Sequence, residues 1–199
     1  MIPLKSEKDL ELLRISGNIL GSVIKQVRNC VKVGLTTLDI DNLAENLIRE
    51  KKAVPAFKGY KGFLATACIS INEEIVHGIP DSRRIKDGDI VSIDLGLNFE
   101  GYFSDAAFTV CVGKVGPREK KLVKVAKEAL MQGIKFAQPG NHLSDISAAI
   151  QKHVEANGFS VVRQFVGHGI GKNLHEEPEI PNFGVRHQGP VLRSGMVLA

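Results

Sequence analysis

The sequence predicts an α+β fold made of two halves of similar plan, each with a pair of helices followed by strands. Three observations carry this. Apolar residues recur at helical spacing through residues 7–28 and again through 37–51. Residues 89–112 then switch to strict alternation, the period of a half-buried strand. A second pair of helical segments follows Pro117, and the remainder reads as strand and loop.

The first helix is expected from Glu7 to Arg28, with Ser6 as its N-cap and Leu10, Leu13, Gly17, Leu20, Ile24 and Val27 as its inward stripe. The second runs from Thr37 to Lys51, capped by Thr36 or Thr37, with Leu43, Leu47 and Ile48 facing inward. Residues 65–71 are a buried strand, and 89–99 with 102–112 a hairpin. Pro117 opens a basic helix to about Phe136, since a first-turn proline lacks only an N–H that would have no partner there anyway. Pro139-Gly140 is a turn, and a fourth helix spans Leu143 to Asn157, stopped by Gly158.

Composition narrows the class. A chain of 199 residues with 43% hydrophobic and 24% charged content is that of an ordinary globular protein, read here as one domain. No apolar run is long enough to span a membrane, and the first residues lack the apolar stretch of a secretion signal. Cys30, Cys68 and Cys111 are odd in number and have no CxxC spacing, which predicts free thiols in a reducing cytosol. A net charge of +4 and a pI near 9.0 permit contact with an acidic surface without requiring one.

Chemistry enters with the hairpin. Val91, Ile93, Leu95, Leu97 and Phe99 alternate with Ser92, Asp94, Gly96 and Asn98, and the return strand alternates likewise around Asp105. With Glu100-Gly101 as a two-residue turn, Asp105 faces Gly96 and Asp94 faces Ala107. The aspartates are then diagonal neighbours on one face, about 7–8 Å apart or less. A turn at Phe99-Glu100 would instead set them directly opposite. An odd loop would split them and also mismatch the apolar faces, so the hydrophobic pattern selects the registers that unite them. Two carboxylates this close repel, so one takes up a proton or a cation sits between them. Gly96 and Ala107 leave space for that cation.

The histidines supply the other donors. His168 lies between glycines in Gly167-His168-Gly169-Ile170-Gly171, where the backbone can be approached closely by a ligand or another segment. His175-Glu176-Glu177-Pro178 follows, and the spacing excludes an HExxH helix. No helix or Gly-Lys-Ser/Thr follows the glycines, so a phosphate loop is excluded too. His77 sits just past a strand, whereas His142, His153 and His187 read as surface or structural. A mixed Asp/His set fits Mn(II), Fe(II), Co(II) or Zn(II). Two such ions bridged by carboxylates lower the pKa of a shared water and polarise a carbonyl, and histidines outside the shell position substrate.

These residues fall in recognisable segments. They are Cys68-Ile69-Ser70-Ile71-Asn72-Glu73 with Val76-His77-Gly78-Ile79-Pro80, Lys86 through Asp94, Gly167 through Gly171, and His175-Glu176-Glu177-Pro178. Over essentially its whole length, and with these motifs in order, the chain resembles the type I (bacterial-type) methionine aminopeptidases, which have the pita-bread fold. That fold sets pseudo-two-fold α/β halves around a curved antiparallel sheet. The resemblance implies that Asp94, Asp105 and His168 are ligands of a two-metal site, and that His77 and His175 contact substrate and assist catalysis. It places the methionine pocket at Tyr60, Phe63, Cys68 and Leu174, where the family commonly has an aromatic in place of Leu174 and tyrosine in place of Phe63. The implied reaction is hydrolytic removal of the initiator methionine ahead of a small second residue.

The same resemblance implies two glutamate ligands beyond the segment matching Met196-Val197-Leu198. The 199-residue chain is therefore expected to be a peptidase domain cut short at its C-terminus and inactive alone. The expected partners are N-terminal Met-peptides and, through Lys120, Lys121, Lys124 and Lys127, the ribosome. The expected state is a cytoplasmic monomer away from membranes. A prolidase-like aminopeptidase and a non-catalytic family member that binds peptide or nucleic acid are the alternatives.

Overall fold

A computed structural model describes residues 2–199. Two helices lead: α1 (Glu7–Cys30) and α2 (Thr37–Glu50). Next come the short β1 (Val54–Pro55), a 3-10 turn at Tyr60–Gly62, β2 (Ala67–Ile71), β3 (Ile90–Phe99) and β4 (Tyr102–Cys111). The second pair of helices is α3 (Pro117–Phe136) and α4 (Leu143–Ala156), followed by β5 (Val166–Gly169) and β6 (Glu176–Pro181). The chain divides into two compact units. Lys8–Glu119 with Gly171–Leu174 make the N-terminal unit, while Lys120–Ile170 and His175–Ala199, with the segment through Glu7, make the C-terminal unit.

In the N-terminal unit β3 is central. It pairs antiparallel with β4 along one edge and with β2 and β1 along the other. One face carries Ile69, Ile71, Val91, Ile93, Leu95 and Leu97, all buried and packed on Leu20, Val23 and Val27 of α1 and Ile40, Ala44 and Ile48 of α2. At roughly 2 kcal/mol for each fully buried aliphatic side chain, this sheet-on-helix layer is the main source of the unit's stability.

The α1 stripe departs from the expected one. Ser16 and Val23 are buried, while Gly17 is exposed. The hydroxyl of Ser16 explains its burial: Oγ lies 3.1 Å from the Tyr102 carbonyl oxygen and 2.9 Å from Ser104 Oγ. A buried hydroxyl is tolerated when β4 supplies its hydrogen bonds. Thr36 is the cap of α2, in a capping box with Asp39, while Thr37 is buried and bonded to Asp81.

The C-terminal unit packs Leu143 and Ile146 of α4 on Ile180 and Leu192. β5 and β6 pair antiparallel with a register shift between His168 and Gly169. Along the other edge of β5, His168 and Ala199 exchange N–H···O bonds of 2.8 Å, and Ile170 donates to Val197 at 3.1 Å. Among the described residues no helix is long and apolar enough to cross a membrane.

Candidate metal centre and substrate site

The candidate residues fall on two frames, one in each unit. The N-terminal unit holds the carboxylates. β3 and β4 join through Glu100-Gly101 at φ 50 and 86, a tight turn whose twist matches the strands, with Asn98 Oδ1 accepting from Gly101 N–H at 3.0 Å. Phe99 pairs with Tyr102, Gly96 with Asp105, and Asp94 with Ala107. The structure thus adopts the first of the two even registers, and the aspartates are diagonal neighbours on one face. Both are partly buried.

On the opposite edge of β3, Cys68 pairs with Asp94, so thiol and carboxylate share that face. Burial pushes the Cys68 thiol up to about 12, and the negative charges of Asp94 and Asp105 add to the shift. At neutral pH Cys68 is therefore a neutral, soft wall and not a nucleophile. The space expected beside Gly96 is filled. A Cβ there would stand 2.6 Å from Phe57 Cε1, so Gly96 is bare because an aromatic ring lies over it. Room beside the carboxylates lies toward Ala107, which is exposed.

His77 belongs to the same unit. Its backbone is left-handed at φ 61, unusual for a non-glycine residue. Gly78 runs against β2: its carbonyl accepts from Ile69 N–H at 2.9 Å, and its N–H donates to Ser70 Oγ at 3.2 Å. A Cβ on Gly78 would stand 2.1 Å from the Ile69 carbonyl oxygen, so only glycine permits this approach. Tyr60 and Phe63 are half-buried at the 3-10 turn, and Leu174 is buried in the same unit.

The entry to β2 is held by two acids that the sequence alone did not single out. Buried Asp41 of α2 accepts N–H bonds from Thr66 and Ala67 at 2.9 and 2.7 Å, and burial raises its pKa against the pull of those amides. Glu45, one turn on, accepts from Lys58, Arg49 and the Thr66 hydroxyl, chiefly the first two, which bring its pKa down to about 2. A carboxylate with a depressed folded pKa stabilises the native state above its unfolded value, and this is lost as pH falls through about 2. Glu45→Gln is expected to cost about 1 kcal/mol at pH 7. In urea titrations at a series of pH values, the difference from the wild type should shrink as pH falls from about 4.5 toward 2.

The C-terminal unit holds the imidazoles. His168 Nδ1 lies 2.9 Å from the Gly169 carbonyl oxygen. A carbonyl only accepts, so Nδ1 carries the proton in the neutral ring and the lone pair falls on Nε2, the arrangement of a metal-binding histidine. The flanking glycines serve close chain approach. A Cβ on Gly169 would stand 2.1 Å from the Glu177 carbonyl oxygen, and one on Gly167 2.7 Å from that of Ala199. The structure brings His175 to His168, with ring centroids 4.2 Å apart. His142, His153 and His187 are surface or structural: His142 caps α4, His153 is 3.3 Å from Glu128, and the exposed His187 ring is 3.6 Å from Asp145.

Paired carboxylates and an imidazole presenting Nε2 are the donor chemistry of a divalent metal site. Among the described residues no three His, Cys, Asp or Glu side chains stand together as a metal-holding group. The fit accordingly rests on each half's donor chemistry.

The model of metallopeptidase family M24 matches residues 11–199. The methionine aminopeptidase of Clostridium perfringens is 50% identical over 199 residues, covering all of this chain and 80% of the relative. Methionine aminopeptidase 1 of Bacillus subtilis is 47% identical with the same coverage. The crystal structure of the Thermotoga maritima methionine aminopeptidase superposes with a TM-score of 0.97 at 42% identity, covering 100% of this chain and 80% of that one.

Proposed function

The chain belongs to metallopeptidase family M24, and from that premise we propose that it removes the initiator methionine from proteins and peptides with a small second residue. It has the pita-bread fold of its relatives and is a divalent-metal-dependent hydrolase. The observation that carries the reading is the β3–β4 register, which sets Asp94 and Asp105 on one face beside Cys68. Relatives at 50% and 47% identity are both named methionine aminopeptidases, which favours this reading over a prolidase-like or non-catalytic one.

Asp94, Asp105 and His168 are proposed as metal ligands for two ions drawn from Co, Mn, Fe and Zn. Paired carboxylates favour a charge of more than one cation, and imidazole favours these metals over Mg or Ca. Bound metal would supply a water of lowered pKa and polarise the scissile carbonyl. His77 and His175 hold the substrate around that carbonyl and exchange protons with it. Tyr60, Phe63, Cys68 and Leu174 receive the methionine side chain, for which a neutral thiol is a fitting soft contact. Residues 1–199 belong to a single peptidase domain, acting in the cytoplasm as a monomer.

The test is methionine release from Met-Ala-Ser by the full-length protein with added divalent metal, run beside an Ala-Pro dipeptide. Release of methionine with Ala-Pro untouched is expected. Cleavage of Ala-Pro alone would favour the prolidase-like reading.

A ribosome contact through α3 is part of the proposal. Lys120, Lys121, Lys124 and Lys127 are all exposed, and two are engaged locally: Lys121 donates to the Asn157 carbonyl at 2.8 Å, and Lys124 lies 3.8 Å from Glu128. Lys120→Glu with Lys127→Glu spares those contacts. The pair should reduce co-sedimentation with ribosomes at low salt; unchanged pelleting would reject the contact.

A further inference from the structure

Gly171–Leu174 is a four-residue piece of the N-terminal unit lying between His168 and His175 in the chain. Three groups seat it. The Gly171 carbonyl accepts from Phe103 N–H at 2.8 Å. Lys172 Nζ lies 3.5 Å from Asp9 Oδ1 and 5.5 Å from the centre of the Tyr102 ring. The Tyr102 hydroxyl donates to the same Asp9 oxygen at 2.5 Å, which ties α1, β4 and the segment to one carboxylate. Tyr102 is itself fixed, being 7% exposed with its carbonyl held by Ser16. At the end of the segment Leu174 is 2% exposed, and its position follows from how the segment is seated.

We propose that Asp9, Tyr102 and Lys172 form a polar clamp whose function is to position Leu174, and through it to set discrimination for the methionine side chain. The inference rests on Leu174 being a wall of the methionine pocket. A clamp suits this position because Leu174 is buried at the end of the segment, so that its packing depends on where the backbone holds it. The three clamp residues act through Leu174 and are positioning residues.

Tyr102→Phe removes only the hydroxyl, Lys172→Met only the charge, and Lys172→Arg restores a cation. Lys25→Met, at an exposed position of α1, is the control for loss of one positive charge. Two readouts are taken on the full-length protein. The first is kcat and KM on Met-Ala-Ser and on its leucine and norleucine analogues. Tyr102→Phe and Lys172→Met should raise KM for the methionine peptide about fivefold at near-constant kcat and narrow its preference over leucine, with Lys172→Arg restoring both. An unchanged preference accompanied by loss of kcat and thermal stability would reduce the clamp to a structural contact and overturn the proposal.

The second readout is hydrogen exchange of the amides of residues 171–174, which does not depend on turnover. Faster exchange in both variants and not in Lys25→Met is expected. Wild-type exchange rates in both variants would overturn the clamp. Failure of the wild type to release methionine would instead count against the proposed function, leaving the exchange result to decide the clamp.

Discussion

Asp105→Ala should abolish methionine release, lowering kcat/KM by about a thousandfold or more with saturating divalent metal present. Asp105 faces Gly96 across the β3–β4 pair and shares its face with Asp94 and Cys68. Its loss removes one of the two carboxylates proposed as metal ligands. The fold should survive, because the Asp105 face is opposite to the one packed on α1 and α2. Circular dichroism and the melting temperature therefore separate a chemical loss from unfolding. Asp105→Asn is the sharper partner, since it keeps the shape and removes the charge. A variant that stays folded and retains more than about a tenth of wild-type kcat/KM would exclude Asp105 as a ligand.

The second large effect is expected at Gly78. Its Cβ would meet the Ile69 carbonyl oxygen at 2.1 Å and the Ile69 carbonyl carbon at 2.7 Å, both backbone atoms that cannot swing aside. Gly78→Ala must push the 77–78 segment off β2, costing about 3 kcal/mol. It must also move the adjoining His77, whose backbone is left-handed. Stability and activity should fall together, with activity falling further than the melting curve explains. Gly17→Ala is the matched control. Nothing lies within 4 Å of its Cβ, it sits on the exposed face of α1, and the change should stabilise by about 0.5–1 kcal/mol without touching activity. Equal effects of the two substitutions on stability would mean that the close packing at Gly78 is not what it contributes.

Much of this was legible in residue order because the relevant forces are local. The hairpin could be placed in register since a slip by one residue would turn Val91, Ile93, Leu95 and Leu97 to the wrong face, and Glu-Gly accepts the positive φ of the tight turn. Helix boundaries followed from Pro117, Gly158 and a threonine cap at Thr36 or Thr37, with ends differing by one or two residues: α1 reaches Cys30 and α2 stops at Glu50. What escaped depends on residues distant in sequence. Phe57 lies over Gly96 from 39 positions away, so the glycine that suggested room for a cation is a socket for an aromatic ring. Ser16 enters the core on account of β4, which a helical wheel of α1 cannot reveal. Asp41 and Glu45 read as polar helix residues until Thr66 and Ala67 are seen to need acceptors. Two features escaped for a local reason: the left-handed His77 carries no sequence mark beyond the glycine after it, and the tautomer of His168 depends on how the backbone turns the neighbouring Gly169 carbonyl toward the ring.

The central claim is that Asp94, Asp105 and His168 bind the metal on which hydrolysis depends. Calorimetric titration of the metal-stripped full-length protein with Mn(II), beside Asp94→Ala, Asp105→Ala and His168→Ala, tests it most directly. Two equivalents are expected for the wild type. Each variant should lose at least one equivalent or weaken binding by about a hundredfold or more while remaining folded. Wild-type stoichiometry and affinity in all three variants would contradict the assignment.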